Sequence, residues 1–206
     1  MNRNFSRALK GLALAAAVAA PLAAHAESNF QTGSGTLTAN AKVDFRITIP
    51  KVLFLQVGTG TLYANNTNVD LIEFNVAAAD IGNSTSVAGI GGDVGGGIVS
   101  ARVRGNGGNV DLNVITTGDL SNGAGDSIPW GEVTTTAGPW VTSTVLPAPT
   151  LVSGTGTPIT LAATGKIVNQ DARWTYSYDN NSLVPAGTYG GININNGRVT
   201  YTASLP

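Results

Sequence analysis

Cysteine is missing from all 206 residues, the one histidine is His25, and the one methionine is Met1. Without cysteine there is no disulfide staple, no thiol nucleophile and no thiolate metal site. Beyond His25 there is no imidazole either, so the Ser-His-Asp arrangement and the usual zinc ligand sets are excluded. Charge is sparse as well, at 11% Asp, Glu, Lys and Arg, and no basic cluster forms a nucleic-acid footprint. After the first 26 residues no apolar run is long enough to span a bilayer, so no membrane insertion of the mature chain is expected.

The N-terminus reads as an export signal. "MNRNFSRALK" carries Arg3, Arg7 and Lys10, "GLALAAAVAAPLAA" is apolar, and "AHA" supplies the small residues of a cleavage site after Ala26. Pro21 and the shortness of the run argue against an uncleaved anchor. With those three cations removed, the 11 Lys and Arg fall to 8 against 12 Asp and Glu, a formal charge of −4. The remaining 180 residues are enough for a single hydrophobic core without covalent staples. The expected organisation is a signal peptide over 1–26, an N-terminal extension over 27–41 and one β-domain over 42–206.

What is present is glycine, threonine, asparagine, valine and alanine in period-two patterns, with turn signals at short intervals. That combination predicts an all-β sandwich or barrel. "KVLFLQVG", Lys51 to Gly58, reads as a strand buried on both sides, and "VDLIEFNV" as a strand with Ile72, Phe74 and Val76 on one face. "AGIGGDVGGG" holds six glycines in ten residues and reads as a mobile loop or a bulged edge. In "GIVSARVRGNGGNVDLNVI", Val99, Ala101 and Val103 point inward and the return strand adds Val110, Leu112 and Val114, a hairpin closed by "GNGG". The last hairpin is "TYGGININNGRVTYTASLP", where Asn196-Gly197 suits a two-residue type I′ turn. That turn sets Ile194 opposite Val199 and Ile192 opposite Tyr201. Five of the nine prolines fall between the two hairpins, where short edge strands alternate with extended segments. "RWTYSYD" then places Trp174, Tyr176 and Tyr178 on one face.

Few residues invite chemistry. Asp119, Asn122 and Asp126 sit in a glycine-rich loop that calcium could use, but the EF-hand spacing is missing, and Asp, Asn and Gly are ordinary turn residues. Paired carboxylates could run a glycosidase, yet the 12 acids are scattered over loops and outward strand positions. No enzyme activity, cofactor or metal is therefore expected. The aromatic stripe reads as core filling between sheets, while Trp130 and Trp140, beside prolines, are the exposed candidates. A sugar- or cell-wall-binding module using Trp130, Trp140 or Tyr178 is the alternative function.

"GTLTANAKVDFRITIP", Gly35 to Pro50, alternates for thirteen residues from Leu37 to Ile49, about twice the ordinary strand length. Two accounts fit. Either one long strand bends and serves both sheets of its own sandwich, or the N-terminal part leaves its domain and completes a neighbour's sheet by strand addition. In the second account Leu37, Ala39 and Ala41 face the recipient groove.

The export signal, this alternating segment, one Thr/Gly/Asn-rich β-domain and the closing strand "GRVTYTASLP" together resemble the pilin-like subunits of chaperone–usher fimbriae. The chain differs from many members in lacking a cysteine pair, and it also resembles uncharacterised small exported β-proteins. The fimbrial resemblance implies an incomplete immunoglobulin-like antiparallel β-sandwich with an N-terminal extension strand. It further implies a non-catalytic fibre subunit that polymerises with itself, assisted by a periplasmic chaperone and an outer-membrane usher. Its destination would be the surface or exterior of a Gram-negative cell, reached through the periplasm.

Overall fold

The computed structural model describes residues 28–206, and the signal-peptide reading lies outside that range. The chain divides into two compact units, one ending at Ile49 and one spanning Pro50–Pro206.

Residues 28–49 contain no strand, and each of them is exposed, Leu37, Ala39 and Ala41 included. Phe45 is 89% exposed and Ile47 86%, against 50% for Leu37. The alternation is present in the sequence, but alternation alone does not make a strand. A ribbon needs a second ribbon for its N–H and C=O groups and a surface for its apolar row. The account in which this segment bends through both sheets of its own sandwich is thus not the observed one.

The second unit is all β apart from one 3₁₀ turn, Trp130–Glu132. Its strands are β1 (Leu53–Val57), β2 (Ile72–Glu73), β3 (Val87–Ala88), β4 (Ile90–Gly91), β5 (Ile98–Gly105) and β6 (Val110–Thr116). They continue with β7 (Leu120–Ser121), β8 (Ser127–Ile128), β9 (Val133–Gly138), β10 (Ile159–Leu161), β11 (Val168–Tyr178) and β12 (Val199–Ser204). One sheet runs β1-β5-β11, with β3 and β9 paired to the far half of β11. A second runs β10-β6-β12, and β2-β4 and β7-β8 form small ribbons. Every ladder is antiparallel.

The two main sheets share one core. Val99, Ala101 and Val103 of β5, Val110, Leu112 and Val114 of β6, and Trp174, Tyr176 and Tyr178 of β11 are all buried in it. Inward positions on both β5 and β6 are therefore as the period-two pattern predicts. Their connection is not. β5 is flanked by β1 on one side and β11 on the other, so both its edges are taken. The chain crosses instead to the other sheet, and the predicted hairpin is an arch between layers.

Two further expectations change. "KVLFLQVG" forms β1, an edge strand paired among the described residues only with β5, rather than a strand buried on both sides. In "VDLIEFNV" only Ile72–Glu73 is strand, and Val76 is exposed. "AGIGGDVGGG", read as a mobile loop or a bulged edge, begins in β3 at the border of the first sheet and continues through β4, with Asp93 accepting bonds from the Ser100 backbone N–H (2.7 Å) and hydroxyl.

The closing hairpin is absent. Ile192 and Ile194 are exposed, and β12 pairs with β6. A tight turn does form, one residue earlier than predicted. Asn195 and Asn196 have φ of 50° and 59°, and the Gly197 N–H donates to the Ile194 carbonyl at 2.8 Å, as a type I′ turn requires. Asparagine tolerates the left-handed region, so the Asn-Asn pair competes with Asn-Gly for the turn. The displaced register is then fixed by bonds to the loop around β7, including the Ser121 N–H to the Asn195 carbonyl at 3.0 Å.

Candidate functional site

The most distinctive surface of the second unit lies between β1 and β12. Among the described residues each is an edge strand: β1 pairs only with β5, and β12 only with β6. Their ends converge, because a side chain at Gly105 would meet both Leu53 and Leu205, and Lys51 Nζ donates to the Pro206 carbonyl at 2.7 Å. Between the two edges runs an incompletely covered apolar floor. Leu55, Val57, Val199, Tyr201, Ala203 and Leu205 pack on the core but stay partly exposed, whereas the inward residues of the central strands are fully covered. Two strand edges without ladder partners, above half-covered apolar groups, leave backbone N–H and C=O groups available for pairing.

Tyr201 sits in this floor. Its hydroxyl lies 2.9 Å from that of Tyr176, and its ring is 5.2 Å from that of Trp174, so β12 is tied across the core to β11. Burial pushes the Tyr201 phenol up to about 12, and burial, followed by the charge and hydrogen bond of Tyr201, raises that of Tyr176.

Asn106 fixes the chain where it enters β1. Its amide donates to the Pro50 carbonyl at 2.8 Å and its carbonyl oxygen accepts the Val52 N–H at 2.8 Å. These two bonds hold the backbone immediately after the exposed segment in a defined direction.

The outer face of the first sheet carries a second constellation. Asp171 is fully buried, 3.6 Å from Arg102 Nε and 3.7 Å from Arg104 Nη2. Its Oδ1 accepts the Val141 and Thr142 N–H groups, each at 2.9 Å, and the Thr142 hydroxyl at 3.1 Å. Burial alone would raise this carboxyl. The bonds from Thr142 and Val141 and the Arg102 charge outweigh burial and hold it below the ordinary aspartate value. The carboxylate thereby straps residues 141–142 across the sheet. Period two placed Asp171 on an outward face, and nothing local in the sequence signals the strap that covers it.

The aromatic candidates are not presented as a platform. Trp130 is buried and its indole N–H donates to the Gly118 carbonyl at 2.8 Å. Tyr178 is buried too, with its ring 6.2 Å from Phe74. Trp140 is half-buried, and the Arg102 and Arg173 guanidinium carbons lie 4.1 and 4.3 Å from its ring centroid. Its π-face is engaged by the protein's own cations. Expected exposure at Trp130 is thus corrected, while Tyr178 is buried as the core reading of its stripe expects, so neither ring is open to the alternative sugar-binding use.

The Asp119–Asp126 loop spends its polar groups on itself. Asn122 Nδ2 donates to Asp126 Oδ2 at 2.7 Å, Asn122 Oδ1 accepts the Ala124 N–H at 2.8 Å, and Ser153 donates to Asp119. Among the described residues no group of three His, Cys, Asp or Glu could hold a metal ion.

No family model matches the chain, and neither a curated protein nor a solved structure matches it.

Proposed function

We propose that this chain is a non-catalytic structural subunit of a bacterial surface fibre, exported through the periplasm and polymerised by strand donation. The segment 35–49 of one copy enters the β1–β12 groove of the next. The observation that carries this reading is the pair of sheet edges without ladder partners over a partly exposed apolar floor, in a chain that also offers an exposed alternating segment. Paired to these edges, which part to admit it between them, the segment would gain ladder hydrogen bonds and bury its odd-numbered side chains. β1 and β12 are five and six residues long, so the groove takes about one ordinary strand, less than the whole alternation. Leu37, Ala39 and Ala41 supply one end of that strand, and Val43, Phe45, Ile47 and Ile49 supply the larger apolar load. A periplasmic chaperone that caps the groove and an outer-membrane usher that exchanges it are the assembly partners this reading calls for.

Mature protein and a form lacking residues 27–49 are to be compared by electron microscopy and light scattering. The mature form should give filaments or a ladder of oligomers. The truncated form should stay monomeric and should capture a synthetic 35–49 peptide. A mature protein that remains monomeric, together with a truncated form that ignores the peptide, refutes the proposal.

A further inference from the structure

Away from the groove, on the outer face of the first sheet, lies a pocket of about 400 Å³. Val52, Leu62, Tyr63 and Ile167 form its apolar walls, and Arg104 and Asn169 are its principal polar side chains. The four apolar residues are all exposed, Tyr63 at 65% and Ile167 at 56%, although large apolar groups gathered round one spot ordinarily pack away. Tyr63 also holds a backbone φ of 60°, a conformation that a bulky residue adopts only under constraint. Its ring meets that of Phe54 edge-on at 5.6 Å, which keeps it standing as a wall.

Arg104 is the polar centre. Its side chain is only 15% exposed, yet its guanidinium donates no hydrogen bond to a protein acceptor among the described residues. Asp171 Oδ2 pairs with it as a charge at 3.7 Å, beyond hydrogen-bond reach, while Oδ1 is engaged by residues 141–142. Asn169 stands directly opposite Arg104 in the β5–β11 register, exposed and with its amide unengaged among the described residues. A covered arginine with unused donors, beside a free amide and within apolar walls, has the make-up of a small-ligand site.

We propose that this pocket binds a small monocarboxylate whose apolar body is about one ring in size. The carboxylate lies on the Arg104 fork, with the Asn169 amide as second donor. The body lies among Tyr63, Leu62, Ile167 and Val52. A planar fork matches a carboxylate in two parallel bonds. The nearby Asp171 charge opposes a second negative charge on the ligand, which selects against a phosphate dianion. The acid could be a free small molecule or the C-terminal end of a peptide, since both present the same group.

Equilibrium dialysis of the mature protein against phenylacetate, phenylacetamide and N-acetyl-glycyl-phenylalanine tests this. Phenylacetate should bind saturably below about 10 mM, and phenylacetamide at least about tenfold more weakly. The peptide acid binding as tightly as phenylacetate points to a chain terminus, and weaker binding points to a free acid. Arg104→Gln should lose at least about tenfold, and Arg104→Lys, which keeps the charge without the fork, should also weaken binding. Tyr63→Gly relieves the backbone and removes the wall, so it should lose affinity with no loss of thermal stability. Equal binding of acid and amide, unchanged binding by both Arg104 variants, or no saturable binding overturns the proposal.

Discussion

The hydroxyls of Tyr176 and Tyr201 meet at 2.9 Å and tie the central strand of one sheet to the edge strand of the other. This bond links the buried core to the apolar groups beneath the β12 edge, so packing at that edge is coupled to the packing of the domain.

Removing one partner tests that coupling. Tyr201→Phe should destabilise the second unit by about 1 kcal/mol, the ordinary net worth of one such bond, and Tyr176→Phe by a similar amount. In a double-mutant cycle the two losses should not add. The phenol of Tyr201 is raised to about 12 in the fold, against about 10 in an unfolded chain. Its contribution is whole below about pH 10 and disappears as pH climbs towards 12, because the unfolded state releases its proton first. Urea midpoints across that range should fall more steeply for the parent than for Tyr201→Phe.

Asp171 governs behaviour at the acid end. Its folded value lies below that of a free aspartate, so its contribution is present above the unfolded pKa and is lost as pH falls through the folded one. Asp171→Asn leaves Arg102 and Arg104 without their anion and should cost about 3–5 kcal/mol by urea denaturation at neutral pH. The variant should also lose the acid-dependent part of the parent's instability. A parent and variant with parallel acid profiles would show that the strap over residues 141–142 does not depend on this charge.

The groove can be closed chemically without touching the central core. Ala203 points into its floor from β12 and is only half covered. Ala203→Asp should leave the isolated unit folded, with a stability loss below about 1 kcal/mol. It should reduce capture of a 35–49 peptide at least about tenfold, since the added carboxylate would have to be buried beneath the incoming strand. Peptide binding to the parent and the variant by fluorescence anisotropy checks both outcomes.

Much of the fold is legible in the residues. The inward sets Val99–Ala101–Val103 and Val110–Leu112–Val114 follow from period two, and so does burial of the Trp174, Tyr176 and Tyr178 stripe. Partnership is less legible than orientation. β5 and β6 look like a hairpin because the turn chemistry between them is good, and only the distant strands β1 and β11 show that β5 has no edge left. The turn at the C-terminal end is present but begins at Asn195, and one residue of displacement is enough to undo the predicted pairing. The pair of outer edges is harder still to read, since which strand borders a sheet is a property of space and no single residue encodes it. Asp171 is hidden for a similar reason: its partners at Val141 and Thr142 arrive from about thirty positions earlier in the chain.

The arch between β5 and β6 bears on the order in which the protein acquires its structure. Only Asn106 to Asn109 separate the two strands, so opposing walls of the interior meet after a very short loop closure. Ladders to β11 and β12 need much longer excursions of the chain and are correspondingly slower. The arch is therefore the expected nucleus, and φ-values for Val103→Ala and Leu112→Ala should exceed those for Val199→Ala in β12. Half of the interior would then be assembled before the last strand joins it.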